Sequence, residues 1–108
     1  MLEKEIERVL ARYVKEIGGI AYKFVSPGNT GVPDRIIILP GGDIWFAELK
    51  TETGILSKVQ EAQIRRLKKL GCRVTVLRGV RDVVRFFLTA GYPGAAAKVN
   101  ARYVGDVL

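Results

Sequence analysis

The stretch GVPDRIIILPGGDIWFAELK, residues 31–50, decides the fold. RIIILP at 35–40 is almost continuously apolar and β-branched, as in the central strand of a sheet. Two glycines follow, and DIWFAELK at 43–50 returns with more apolar residues. The stretch therefore predicts a β-hairpin, yet it places Asp34, Glu48 and Lys50 among residues that belong in a core.

The composition of the 108-residue chain excludes several classes of active site. It contains no histidine and one cysteine, Cys72, which removes Ser-His-Asp and Cys-His catalysis, disulfide frameworks and zinc sites made of Cys and His. A metal site must then use oxygen ligands, which favours magnesium, manganese or calcium. The net charge of +7 suits a polyanionic partner, although it also suits simple solubility.

Periodicity predicts one α/β domain at residues 1–90 with the order α-β-β-β-α-β-α and a mixed central sheet flanked by helices. Apolar residues make up 48% of the chain, which is enough for a core. Helices are predicted at 2–17, from Ser57 to about Leu70, and at 80–89; strands are predicted at 20–26, 35–40, 43–50 and 73–78. Ser57 is the expected N-cap of the second helix, where Gln60 completes a capping box.

The alternation of side chains in the returning strand places Glu48 and Lys50 on one face, next to Phe46. The position of Asp34 depends on the turn. A two-residue turn puts Asp34 opposite Leu49, on the wrong face, whereas a three-residue loop at 40–42, or a bulge, puts it opposite Glu48. Gly42 suits the left-handed residue that closes such a loop.

In that register two carboxylates lie close together, and one of them would stay protonated unless a cation joined them. Magnesium binds such carboxylates and also accepts phosphate oxygens. Lys50 can orient a water molecule or stabilise developing negative charge, which suits phosphodiester hydrolysis. The alternative is an exposed strand end with a simple Glu-Lys pair, because this spacing is common.

The strings SPGNTGVPDR, ELK and LSKVQ resemble the VRR-NUC family of the PD-(D/E)XK nucleases over about residues 1–87. The resemblance implies a restriction-endonuclease-like core, dependence on Mg²⁺ or Mn²⁺ and cleavage of structured DNA. It implies that Asp34, Glu48 and the backbone carbonyl of Leu49 are metal ligands and that Lys50 is catalytic. Small members resemble Holliday-junction resolvases, so branched DNA and a homodimer are expected.

Other site residues are predicted by the resemblance together with the local pattern. The family carries an acidic residue on the first helix near the metal, and Glu3, which falls within the apolar stripe, is preferred over Glu7. A negative charge favouring the helix N-terminus explains Glu3 equally well. Gln60 matches a family glutamine whose amide contacts the attacking water or a phosphate, although the capping box also accounts for it.

Basic side chains supply the expected DNA contacts. Lys23, Arg35 and Lys58 are candidates near the site, and Arg65 lies on the second helix with further cations at 66, 68 and 69. Tyr22 is a candidate for stacking on bases, whereas Trp45 is better explained by core packing.

The C-terminal extension at 91–108, GYPGAAAKVNARYVGDVL, differs in character from the domain. Its apolar residues are too many for a solvated tail, and a short strand is predicted at 102–108. We expect this extension either to form part of a dimer interface by pairing at a sheet edge or to dock on its own core.

Two function classes remain open at this level. One is a metal-dependent endonuclease, and the other is a non-catalytic nucleic-acid-binding module that kept the fold. No apolar run reaches the length of a membrane helix and no signal peptide is recognisable, so a cytoplasmic protein is expected.

Overall fold

A computed structural model describes residues 1–105 of the chain. The elements are, in order, α1 (Glu3–Glu16), β1 (Ile20–Lys23), β2 (Arg35–Leu39), β3 (Asp43–Lys50), α2 (Lys58–Lys69), β4 (Val74–Arg78), α3 (Gly79–Ala90), α4 (Pro93–Val99) and a π-helix (Asn100–Val104). The predicted order α-β-β-β-α-β-α is confirmed, and two short helical elements follow it. The first predicted strand is shorter than expected, because the loop before Asp34 begins after Lys23.

The sheet has the strand order β1-β2-β3-β4. The first three strands are antiparallel, and β4 is parallel to β3. A parallel neighbour requires a crossover connection, and α2 provides it. The sheet is therefore mixed, as predicted.

The hairpin has the register that a three-residue loop produces. Leu39 pairs with Asp43, and Arg35 pairs with Ala47. Gly41 and Gly42 both adopt left-handed conformations, with φ of 85° and 77°. Because this register continues toward the open end of the hairpin, Asp34 lies opposite Glu48.

The two faces of the sheet have different coverings. One face packs on α1, α3 and α4 and contains Ile37, Leu39, Ala47 and Leu49, all of which are buried. On the opposite face, α2 contacts β4, and its Gln60 reaches Glu48. The core therefore lies on one side of the sheet, and the candidate site lies on the other.

The C-terminal extension folds back on its own domain. Ala95, Ala96 and Val99 belong to the buried core, and Tyr103 packs edge-on against Tyr13 with ring centroids 6.5 Å apart. The predicted strand at 102–108 is wrong where the structure describes it, because residues up to Val104 are helical; 106–108 lie outside the described residues. Of the two expectations for this segment, docking on its own core is the one observed.

Candidate active site

Glu48 is the buried charge of the sheet. It lies on β3 with about 1% of its surface exposed. Its Oε2 accepts a hydrogen bond from Gln60 Nε2 at 2.8 Å and lies 3.9 Å from Lys50 Nζ. Burying a carboxylate in so small a domain costs free energy, so this position indicates a site rather than a packing contact.

The surroundings of Glu48 favour its protonated form. Burial and then the negative charge of Asp34 raise the pKa of Glu48 from 4.5 to about 7; Lys50 acts in the opposite direction, and Glu3 adds a further increase. The single ammonium of Lys50 therefore does not compensate for burial and for the neighbouring carboxylate.

Asp34 is fixed by two backbone contacts at the point where β2 begins. Its carbonyl oxygen accepts a hydrogen bond from Phe24 N at 2.9 Å, and its Oδ2 accepts one from Leu49 N at 2.9 Å. The N–H and C=O groups of a strand residue point to the same edge of the strand. The Leu49 carbonyl is therefore directed toward the side where Asp34 lies.

Gln60 has two roles at once. Its Oε1 accepts a hydrogen bond from Ser57 N at 2.9 Å, and its backbone N donates to Ser57 Oγ at 3.1 Å, which forms the predicted capping box. Its Nε2 donates to Glu48 rather than pointing at open solvent. The first turn of α2 is thus tied to the buried carboxylate, and Gln60 orients Glu48.

The two acidic candidates on α1 have different partners. Glu7 Oε1 accepts a 2.7 Å hydrogen bond from Arg35 Nε, so its charge is already paired. Glu3 is exposed at the start of the helix, yet it lies close enough for its charge to raise the pKa of Glu48. Of the two, Glu3 is the one whose charge acts on the site.

The donor set fits a divalent cation. Glu48 Oε1 is buried and has no hydrogen-bond partner. Within residues 1–105, no cluster of three or more His, Cys, Asp or Glu side chains is arranged to hold an ion. Two carboxylates and a backbone carbonyl suit a hard ion that keeps water molecules and also binds phosphate, as Mg²⁺ does. An unpartnered buried oxygen beside a second carboxylate is what such an ion would satisfy.

The sequence profile of the VRR-NUC domain matches residues 1–81 of this chain. The chain belongs to the VRR-NUC family. A relative from Acyrthosiphon pisum secondary endosymbiont phage 1, named "Putative nuclease p44", is 49% identical over 75 residues, which cover 69% of this chain and 81% of the relative.

Solved structures agree with this assignment. A VRR-NUC domain with 28% identity superposes with a TM-score of 0.75 and covers 83% of this chain and 97% of its own. A second VRR-NUC domain protein, at 18% identity, has a TM-score of 0.65 over 88% of this chain and 90% of its own, and it supports the fold. The chain is therefore a nuclease-family domain with the expected α/β core.

The cations that were predicted to bind DNA lie on two different sides of this VRR-NUC domain. Lys23 pairs with Arg35, which pairs with Ala47, so both cations share the face opposite Glu48. Arg35 is also engaged internally, since its guanidinium contacts Glu7 and the Ala21 carbonyl. The Arg35 guanidinium is therefore engaged within the domain, and Lys23 lies on the face away from the carboxylates. Contact of either cation with DNA stays a prediction.

The predicted cations on α2 lie on the side of the site. Lys58 and Arg65 are exposed on the helix that covers Glu48, and Arg65 lies 3.9 Å from Glu61. Of the aromatic candidates, Tyr22 is 56% exposed, whereas Trp45 packs edge-on against Phe86 on the core side. The accessible groups around the site thus include those of α2 and Tyr22.

Sequence reasoning missed Arg78. In the parallel register of the VRR-NUC sheet it pairs with Lys50, and it therefore shares the face of that residue. Its Nε donates to the Gly54 carbonyl at 3.1 Å, which holds the loop after β3. Its position at the end of a predicted strand was visible in the sequence, but its neighbour was not, because the pairing partner of β4 was unknown.

Gly31 is required by close packing of the site loop on α2. Its φ is +87°, and a Cβ there would lie 2.7 Å from Val59 Cγ1, whereas Gly28 has a φ of +80° with nothing within 4 Å. We expect Gly31→Ala to lower the free energy of unfolding by about 3 kcal/mol, since strain and overpacking add. Gly28→Ala should lower it by only about 1 kcal/mol. Urea denaturation of both variants tests this, and equal losses would contradict the packing argument.

No helix within residues 1–105 is both long enough and apolar enough to cross a membrane.

Proposed function

We propose that this VRR-NUC domain is an endonuclease that hydrolyses DNA phosphodiesters with the aid of Mg²⁺ or Mn²⁺. The observation that carries the proposal is the buried Glu48 carboxylate, which has one unpartnered oxygen and lies beside Asp34 and Lys50. A binding module has no use for two clustered carboxylates, because they repel DNA and because burying one of them costs free energy.

Asp34, Glu48 and the Leu49 carbonyl would hold the cation, with Glu3 close by. When bound, the cation would compensate the two carboxylates and polarise a phosphate oxygen. Hydrogen bonds within the protein fix the positions of the ligands: Leu49 N donates to Asp34, and Gln60 Nε2 donates to Glu48. These contacts orient the donor atoms before substrate arrives, so little reorganisation is needed.

Lys50 supplies a positive charge to the site. Its side chain is mostly buried, with 15% exposed, and it lies on the same face as Glu48. In the proposed reaction a water oxygen bonds to phosphorus, and the bond from phosphorus to the 3′-oxygen breaks. Lys50 orients that water or stabilises negative charge on the phosphate. The attacking water releases a proton to solvent, and the departing 3′-oxygen takes one up from solvent.

Branched DNA, such as a Holliday junction, is the proposed substrate class, with two copies acting on two strands. The resemblance to small junction-resolving members of the family supports this. In the C-terminal extension, Ala95, Ala96 and Val99 are buried in the domain's own core.

A cleavage assay separates the nuclease from the non-catalytic alternative. Labelled four-way junction, flap, splayed-arm and linear duplex DNA are incubated with Mg²⁺ or Mn²⁺ and with the unmodified protein or Asp34→Ala. We expect cleavage of the branched substrates, dependence on the added ion and loss of cleavage in Asp34→Ala. Binding of branched DNA without cleavage under either ion would favour the binding module.

DNA affinity should fall steeply with salt, because Lys and Arg contacts to phosphates release counterions. We expect Lys58→Ala, made in inactive Asp34→Asn protein, to reduce the slope of log affinity against log salt by about one. Lys98→Ala is the matched control, since Lys98 lies on α4 and is 3.9 Å from Glu16. Fluorescence anisotropy at several salt concentrations measures both slopes. A slope near zero, or equal effects of the two substitutions, would contradict a DNA surface formed by α2.

A further inference from the structure

The loop between β3 and α2 carries the most exposed large apolar side chain within residues 1–105. We call this segment, TETGIL at 51–56, the β3–α2 loop. Its Ile55 is 84% exposed, while Gly54 and Leu56 on either side are half-buried. One exposed aliphatic side chain is common on a protein surface. The rigidity of this loop and its location give Ile55 a further meaning.

The β3–α2 loop is held in place from both of its neighbours in the sheet. The Gly54 carbonyl accepts a 3.1 Å hydrogen bond from Arg78 Nε on β4. The Glu52 side chain packs so closely on Gly79 that a Cβ at Gly79 would lie 2.7 Å from Glu52 Cγ. Ile55 therefore projects from a fixed backbone, and its β-branched side chain is itself restricted at χ1.

Ile55 lies beside the candidate active site. Gly54 packs over Lys50, since a Cβ on Gly54 would lie 3.0 Å from Lys50 Cβ and 3.2 Å from Lys50 Cδ. Ile55 is the next residue, and consecutive Cα atoms are about 3.8 Å apart. Five residues further along, Gln60 donates to Glu48 at 2.8 Å. Contacts with the site thus lie on both sides of Ile55 along the chain, on the same face of the sheet.

We propose that Ile55 inserts between two bases at the branch point of a DNA substrate. This inference rests on the proposed function, because it requires a DNA strand to lie across the carboxylates. An aliphatic side chain gains nothing from phosphates, whereas its insertion between bases unstacks them and kinks the strand. Lys58, three positions later, is exposed and supplies a cation for a neighbouring phosphate.

Insertion of Ile55 would favour branched DNA over linear DNA. In a linear duplex the bases are paired and stacked on both sides, so separating them costs more free energy than at a branch, where stacking is already interrupted. The preference then arises from the cost of deforming the DNA and needs no contact with a particular base. Because the loop is rigid, Ile55 also fixes the distance between the branch and the cleaved bond.

The first test measures unstacking without cleavage. A four-way junction carries 2-aminopurine at the branch, and the fluorescence of this base rises when it leaves the stack. Inactive Asp34→Asn protein is added until anisotropy shows that the junction is saturated. We expect fluorescence to rise several-fold, to lose most of this rise when Ile55→Ala is added, and to keep it with Leu88→Ala. Leu88 is the matched control, an aliphatic side chain that is 46% exposed on α3, across the sheet.

Two further substitutions distinguish insertion from contact with the DNA backbone. Ile55→Lys adds a cation at the same position, so it should bind the junction at least as tightly and still lose the fluorescence rise. Ile55→Leu keeps an aliphatic side chain and should retain most of the rise. Because Ile55 is exposed, these changes leave the core intact, and circular dichroism melts verify that each variant is folded.

The active protein provides an independent readout. The ratio of cleavage rates for four-way junction over linear duplex should fall about tenfold in Ile55→Ala and stay constant in Leu88→Ala. A bound junction without a fluorescence rise, or an equal rise with Ile55→Ala or Ile55→Lys, overturns the insertion even if DNA is cleaved. A rise that depends on Ile55 in a protein that cleaves nothing supports the insertion and contradicts the nuclease. Failure to bind the junction overturns both.

Discussion

Glu48→Gln is expected to reduce DNA cleavage by at least about 100-fold, while the protein stays folded and still binds DNA. Glutamine has nearly the same shape, and its carbonyl oxygen can still accept the hydrogen bond from Gln60. It cannot supply the negative charge that a cation requires. Timed cleavage of a branched substrate under saturating Mg²⁺, with affinity measured separately in Ca²⁺, gives both quantities.

Glu61→Gln is the matched control for this substitution. Glu61 also loses a carboxylate, but it is exposed on α2 and its partner Arg65 is 3.9 Å away. Exposed pairs of this kind contribute little to stability, so cleavage should be almost unchanged. If Glu48→Gln destroyed the cooperative melt, Glu48 would be a structural residue, and the assignment of the site would lose its main support.

The stability of the metal-free protein is expected to fall as the pH rises from about 4.5 to about 7. The cause is Glu48, whose pKa is raised to about 7 chiefly by burial and by Asp34. Between these two pH values the folded state holds a proton that the unfolded state has released. Stability from this group is therefore complete below pH 4.5 and is lost by pH 7, an effect of up to about 3 kcal/mol.

Glu48→Gln removes this titration, so the difference between the two proteins isolates it from the other carboxylates. Urea denaturation is measured in the presence of a chelator at pH 4.5, 6 and 7.5. The free energy of unfolding of Glu48→Gln, relative to that of the unmodified protein, should rise at each step. Parallel pH profiles would mean that Glu48 titrates normally.

Saturating Mg²⁺ at pH 7.5 should restore stability to the unmodified protein, by about 2.7 kcal/mol at a concentration 100 times its dissociation constant. The gain should be much smaller in Glu48→Gln. An equal gain in both proteins would place the bound ion elsewhere.

Local sequence patterns determined much of the fold and the chemistry of the site. Strand alternation put Glu48 and Lys50 on one face. The two glycines predicted a hairpin with two possible registers, and the structure has the one that a three-residue loop at 40–42 produces. The capping box between Ser57 and Gln60 was also predicted, because it joins residues three positions apart. These features depend on neighbouring residues and short-range periodicity, which a single sequence displays.

The tertiary structure alone decided which charged side chains lie beside the site and which lie on the other face of the sheet. Arg35 and Lys23 were reasonable DNA contacts by composition, but the register placed both on the α1 side, where Glu7 pairs with Arg35. Gln60 reaches Glu48, and Arg78 comes beside Lys50, only because α2 carries the chain across to a parallel fourth strand. Such contacts join residues 12 to 28 positions apart, and no local pattern specifies them.

The C-terminal extension shows the same division. Its apolar content correctly predicted burial, but its β-branched and aromatic residues suggested a strand. Docking favoured helical turns instead, because they bury Val99 in the core and bring Tyr103 against Tyr13. The sequence thus determined that these side chains leave water, whereas the shape of the surface left by α1 and α3 decided the conformation in which they do so.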